Sequence, residues 1–312
     1  MELPEHRVVA DGLRFPEGPV ALADGTVLFV EVQGGTLSRV PATGGPVEVV
    51  AELCPGGYGG ANGAAIGPDG AVYVCNNGGF FWGEMNGRLM PINMATGTNV
   101  PPGFTGGWID RVDLMTGTHQ VLYSACDGKA FTGPNDLVFD SSGGFWFTDH
   151  GKVHADRWDK GAVYYASPDG SSVERKIFPL NGPNGVGLSP DESVLYVAET
   201  NTGRLWAFDL DGPGAPRPVE RGHGGRCIAN TLGHLDSLAV EADGTVCAAA
   251  ISQGILVAPV DGSAHHHMPM PDYACTNICF GGPELRTAYI TLSGIGQLIA
   301  VDWPRAGLAL AY

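Results

Sequence analysis

The sequence predicts an all-β protein folded as a six-bladed β-propeller. Three observations carry that expectation. Gly 48 and Pro 23 exceed one fifth of the 312 residues, and charged residues make up only 16%, against about 25% in an average globular chain. A strand–turn–strand unit recurs six times. No helical period runs long enough to suggest βαβ units. With hydrophobic residues at 44% and aromatics at 9%, the chain has the apolar content to bury a core.

The repeats follow in chain order. Residues 15–30 read FPEGPVALADGTVLFV, with the turn at Asp24-Gly25, and 61–74 read ANGAAIGPDGAVYV, with Pro68-Asp69-Gly70. The segment 134–149 is PNDLVFDSSGGFWFTD, 183–197 is PNGVGLSPDESVLYV, and 235–248 is LDSLAVEADGTVCA. A sixth copy, 276–291, has a longer turn. Asp-Gly between alternating apolar runs is a strong hairpin signal. Most copies continue into a further strand pair, through 35–40, 161–166, 203–209, 254–260 and 296–302, so each unit has the roughly 40–50 residues of a propeller blade. His6–Ala10 is expected to complete the last blade and remove free sheet edges. The expected organisation is one domain over 1–312, with an aromatic and Met-rich insertion at about 77–110 in the second blade.

Charge and targeting signals exclude several classes. Lys+Arg 17 against Asp+Glu 33 leaves a net charge of −16. Such a chain repels phosphate backbones and acidic membranes, so neither nucleic acid nor a membrane is an expected partner. No run of about 18 apolar residues occurs, and residues 1–7 have no signal-peptide character. The seven cysteines form no CxxC pair, and Cys275 and Cys279, four apart, lack a second pair for a zinc site. Reduced thiols in a cytoplasmic protein are expected.

Innermost strands of a propeller face the axis. Their first positions, read from each repeat, are Glu17, Asn62, Asn135, Asn184, Asp236 and Asn277, all carboxylates or carboxamides. An oxygen-only set suits a hard dication such as Ca2+, Mg2+ or Mn2+, whereas zinc more often recruits His or Cys. Ends of second strands, namely Glu31, Asn76, Asn77, Asp149, His150, Glu199 and Thr200, fall near the same mouth. Among them Asp149 is expected to tie down a turn, and Glu31 and Glu199 to be solvated or structural. His150 is a candidate substrate contact or proton shuttle at an ordinary pKa of about 6.5. His265–His267 is read as a solvated outer loop.

The strings Phe15-Pro16-Glu17-Gly18-Pro19, Gly133-Pro134-Asn135-Asp136, Phe147-Thr148-Asp149, Gly182-Pro183-Asn184-Gly185, Leu235-Asp236-Ser237-Leu238 and Asn277-Ile278-Cys279-Phe280-Gly281-Gly282 resemble the senescence marker protein/gluconolactonase/luciferin-regenerating enzyme family. The resemblance, from about residue 8 to about 305, implies a six-bladed propeller with one divalent cation in its channel and lactone hydrolysis. It implies Glu17, Asn184 and Asp236 as metal ligands, with Asn135 as a ligand or substrate contact. The expected cation is Ca2+, with Mn2+, Mg2+, Zn2+ or Fe2+ as alternatives. Asp236, then Glu17, is the expected general base, and Asn62, Asn135 and His150 are expected substrate contacts. Gly133 stands where sugar-lactonase members often carry Arg, which points away from a small polyhydroxylated lactone. The insertion points the same way, as a lid with Phe81 and Trp82 over an apolar acyl group. Phosphotriester hydrolysis in the same channel, as in related propellers, and a non-enzymatic calcium-binding propeller are the alternative functions.

Overall fold

The computed structural model describes residues 3–54 and 57–312; Met1 and Glu2, part of the stretch read for a leader, lie outside the described residues. Six small antiparallel sheets follow one another around a ring. The first blade comprises Pro16–Ala21, Thr26–Glu31, Thr36–Pro41 and Glu48–Glu52, from axis to rim. The innermost strands of the other five are Ala61–Ile66, Pro134–Phe139, Pro183–Leu188, His234–Val240 and Cys275–Gly281. Each innermost strand contacts the next, and Cys275–Gly281 contacts Pro16–Ala21, which closes the circle. His6–Ala10 pairs antiparallel with Gln297–Asp302 as the outermost strand of the sixth blade, the closure expected from the sequence.

The turns form for a local reason. Asp24, Asp69, Asp191 and Asp243 each accept a hydrogen bond from the backbone N–H two residues on, at 2.8, 3.2, 3.1 and 2.9 Å. This Asx geometry bends the chain between the first two strands of a blade. Gly25, Gly70 and Gly244 then take φ of 84°, 74° and 90°, where a side chain would be strained.

The core is divided into six apolar clusters, each shared by two adjacent blades. Period-two alternation makes this possible. In the fifth blade Val246, Ala248 and Ala250 face the fourth blade, while Cys247 and Ala249 face the sixth. In the first blade Leu28 and Val30 face the second, while Val27 and Phe29 face the sixth. Second strands are therefore apolar on both faces, which explains their continuous hydrophobic runs. Hydroxyls on second strands or just past their ends stitch neighbours together: Thr148 Oγ1 donates to Asn184 O at 2.6 Å, Thr200 Oγ1 to Leu235 O at 2.7 Å and Ser293 Oγ to Pro16 O at 2.6 Å.

On one face of the ring the chain between Asn76 and Trp108 leaves the second blade; Trp108–Val112 re-enters the sheet opposite Val72–Asn76, so the excursion covers 77–107. It contains a short hairpin, Gly83–Met85 with Arg88–Met90. On the opposite face the C-terminal segment crosses the axis. Leu308 N–H donates to Val240 O at 2.8 Å, and the Tyr312 ring lies 6.1 Å from that of Phe139. Together with Val20, Ile66, Leu188 and Ile278, residues 308–312 enclose an apolar chamber of about 310 Å³. No helix among the described residues is long and apolar enough to cross a membrane, and the seven cysteines are unpaired.

Candidate metal centre

The innermost strands share an irregularity at their mouth ends. Pairing with the second strand skips between Glu17 and Val20, Ala61 and Ala64, Pro134 and Leu137, Pro183 and Val186, Leu235 and Leu238, and Cys275 and Asn277. Such bulges re-aim side chains, and here the residues within or beginning them are the oxygen donors. Glycine allows close approach where neighbouring strands meet. A Cβ on Gly18 would stand 2.6 Å from Asn62 O, one on Gly63 2.5 Å from Asn135 O, and one on Gly185 2.8 Å from Asp236 O.

The sixth blade departs from the expected register. Cys275 lies opposite Leu292 and Ile278 opposite Ile290, as Pro134 lies opposite Asp149 and Leu137 opposite Phe147. Thr276 therefore occupies the position of Asn135, and Asn277 sits one residue deeper, level with Asp136. Aligning the apolar residue after the bulge (Leu137, Leu238, Ile278) would have revealed the slip.

Glu17 is 2% exposed. Its Oε2 accepts from Asn277 Nδ2 at 2.7 Å and from Gly18 N–H at 2.9 Å. Burial raises its carboxyl above the ordinary value, partly offset by those hydrogen bonds. Asp236 is half-buried. Burial first and the Glu17 charge second push its carboxyl well up, while a hydrogen bond from Asn184 opposes the rise. Asn184 Nδ2 donates to Thr200 Oγ1 at 3.2 Å, and its Oδ1 accepts from Ser237 Oγ at 3.4 Å. Asp136, which the sequence reading passed over, is also buried; burial and then Glu17 push it up to about 7. Its carboxylate accepts from Leu137 N–H at 2.9 Å and Val186 N–H at 3.3 Å. The mouth thus gathers carboxyl groups whose charged forms burial and the neighbouring Glu17 charge disfavour.

Asn135 is buried and its Oδ1 has no hydrogen-bond partner among the described residues. An orphaned buried acceptor costs about 1–3 kcal/mol. That orphan, in the same ring of strand starts as the buried Glu17 and Asp136, fits a hard dication and its demand for oxygen donors. Among the described residues no group of three or more His, Cys, Asp or Glu gathers as a metal cluster, so any site here depends on carboxamide as well as carboxylate oxygen. Asn62 is buried one blade away, with its backbone against Gly18.

The rim groups divide by role. Asp149 accepts from Thr132 N–H at 2.8 Å, Thr132 Oγ1 at 2.9 Å, Gly133 N–H at 2.6 Å and Gly151 N–H at 3.1 Å, so it holds the loop leading into the third blade. Glu199 accepts from Asn181 N–H at 2.6 Å and Glu31 from Arg14 N–H at 2.7 Å in equivalent places. His150 stands between the third and fourth blades, close to Gly182. Burial lowers it to about 4, so it is uncharged at neutral pH, and the expectation of a shuttle titrating near 6.5 is corrected.

The insertion reaches several blades. Trp82 Nε1 donates to Tyr58 O at 2.8 Å, and its ring lies 5.3 Å from Phe15, two residues before Glu17. Phe81 N–H donates to Asn99 O at 2.9 Å, and Asn99 N–H to Val153 O at 3.0 Å in the third blade. Arg88 Nε approaches the buried Asp272 Oδ1, before the sixth blade, at 3.7 Å. Phe81 and Trp82 are half-buried. Lys152, which no sequence motif marks, is buried against the insertion. His266–His267 belong to the outermost strand of the fifth blade, His266–Met268, where the sequence reading expected a loop.

Residues 15–294 match the model of the SMP-30/Gluconolactonase/LRE-like region. The chain is 32% identical over 282 residues to lactonase drp35 of Staphylococcus saprophyticus, covering 87% of this chain and 72% of that protein. It is 28% identical over 308 residues to a gluconolactonase of Zymomonas mobilis, covering 92% and 78%. A calcium-binding protein, regucalcin, from Agrobacterium tumefaciens superposes with a TM-score of 0.71 at 18% identity over 98% of both chains, a likeness of fold.

Proposed function

We propose, from the premise that the chain belongs to the SMP-30/gluconolactonase/LRE-like family, that it is a divalent-metal-dependent lactonase acting on a lactone larger or more apolar than a sugar lactone. Lactonase relatives support lactone hydrolysis. The observation that carries the metal reading is the orphaned, buried Asn135 Oδ1 in the ring of strand starts that also holds Glu17 and Asp236, where the Glu17 charge raises Asp236. Glu17, Asn135, Asn184 and Asp236 would hold the cation, with Ca2+ favoured by the all-oxygen set. A cation held there supplies Lewis-acid polarisation of the lactone carbonyl and offsets charge developing on its oxygen.

The chain's own groups do the rest. Asp236 is the general base: it is half-buried and faces the mouth, whereas Glu17 is 2% exposed and fixed by Asn277 and Gly18. As a water oxygen attacks the carbonyl carbon, Asp236 takes its proton. The ring C–O bond breaks, and the ring oxygen recovers that proton to give a hydroxy acid. Asn62 and the uncharged His150 orient the substrate. Phe81 and Trp82 cover its apolar part and exclude water. The decisive experiment strips the protein of metal, restores Ca2+, Mn2+, Zn2+ or Fe2+ separately, and assays a panel of lactones. Activity should be lost on stripping and return with Ca2+. A stripped protein that works as well as the loaded one overturns the metal reading, and no turnover of any lactone under any loading overturns the lactonase reading.

A further inference from the structure

Lys152 is a buried cation that the chemistry above leaves unused. It is 2% exposed. Its Nζ donates to Gly79 O at 2.7 Å and lies 4.2 Å from the Phe80 ring centre and 5.0 Å from that of Phe104. Among the described residues no carboxylate comes within ion-pair distance of it; Asp149 and Asp159, both of its own blade, act on it from farther away. All three close partners belong to the 77–107 insertion, whereas the Lys152 backbone is held in the third blade by Asp159, through N–H to Oδ2 at 3.2 Å and Asp159 N–H to Lys152 O at 3.0 Å.

An apolar side chain would fill this place without burying a charge, and burial lowers the amine to about 7. What an amine adds is direction. One hydrogen bond fixes the Gly79 carbonyl, two residues before Phe81, and the two rings supply the cation–π faces that replace water. The next residue, Val153, takes the backbone bond from Asn99 that completes the clamp.

We propose that Lys152 is a positioning residue for substrate selection: by gripping Gly79, Phe80 and Phe104 it sets where Phe81 and Trp82 stand over the mouth, and so which acyl chains the mouth accepts. This rests on Phe81 and Trp82 being substrate contacts. Two measurements on Lys152→Met test it. Amide hydrogen exchange at Phe81 and Asn99 should speed up, in metal-free as in loaded protein. The ratio of kcat/KM for γ-decalactone over γ-butyrolactone should fall about tenfold, through KM for the longer lactone. The double variant Phe81→Ala/Trp82→Ala provides the reference. If it lowers the ratio and Lys152→Met does not, the anchoring role is overturned while the lid reading stands. If neither moves the ratio, both fall. A changed ratio with unchanged exchange also overturns positioning, because Lys152 would then act by some route other than the insertion.

Discussion

Replacing Lys152 with methionine should remove a pH dependence of stability that the wild-type protein owes to one buried amine. The amine drops from an ordinary 10.5 to about 7, and each tenfold step in a proton equilibrium is worth about 1.4 kcal/mol. The charged form is therefore disfavoured in the fold by about 5 kcal/mol. The sign follows from which state holds the proton. Below pH 7 the amine is charged in both states, and the fold bears the whole cost. Between about 7 and 10.5 the unfolded chain keeps the proton and the folded chain does not, so stability climbs with pH. Above 10.5 the cost is gone. Between pH 6 and 10 the wild type should gain about 4 kcal/mol relative to Lys152→Met. Methionine also leaves Gly79 O without its donor, a loss of about 1–3 kcal/mol that offsets the variant's curve without tilting it. Urea unfolding across this range, with both proteins free of metal, measures the tilt, and other titrating groups cancel in the difference. Parallel curves would refute the reasoning, since an amine that is hydrated or paired in the folded state would produce no relative slope.

Two further outcomes follow from the mouth. Asp236→Ala should lower kcat by at least about 10²-fold through loss of the base; near-normal turnover at full metal content would remove Asp236 from the mechanism. Asn135→Leu replaces the orphaned acceptor with an apolar side chain of similar size. The metal-free variant should melt no lower than wild type while its calcium affinity, by calorimetry, falls about tenfold; a lower melting temperature with unchanged affinity would mean that Asn135 serves the fold instead.

The propeller was legible because its causes are local. Asp-Gly turns, period-two alternation and a repeat length were enough to number the blades, and even the closing strand His6–Ala10 followed from counting. The mouth was legible for the same reason: once strand starts are aligned, Glu17, Asn62, Asn135, Asn184 and Asp236 fall in register. Asn277 was misplaced because Thr276 stands where the other blades carry a carboxylate or carboxamide and the next residue is an Asn; only the apolar residue beyond the bulge, Ile278, fixes the count. His150 carries its ordinary residue type, but its proton affinity is set by burial between two blades. Lys152 was invisible because its partners, Gly79, Phe80 and Phe104, come from another blade's excursion. A lysine three residues past a strand end reads as solvated until that contact is seen.

The C-terminal segment laid across the far opening, from Val240 to Phe139, also governs traffic. On the proposed function, reactant and product would share one doorway, the one beneath Phe81 and Trp82. The hydroxy acid released in one cycle then stands in the path of the next lactone. Inhibition by accumulated product should accordingly be competitive, and it should be stronger for the longer acyl chains that linger there.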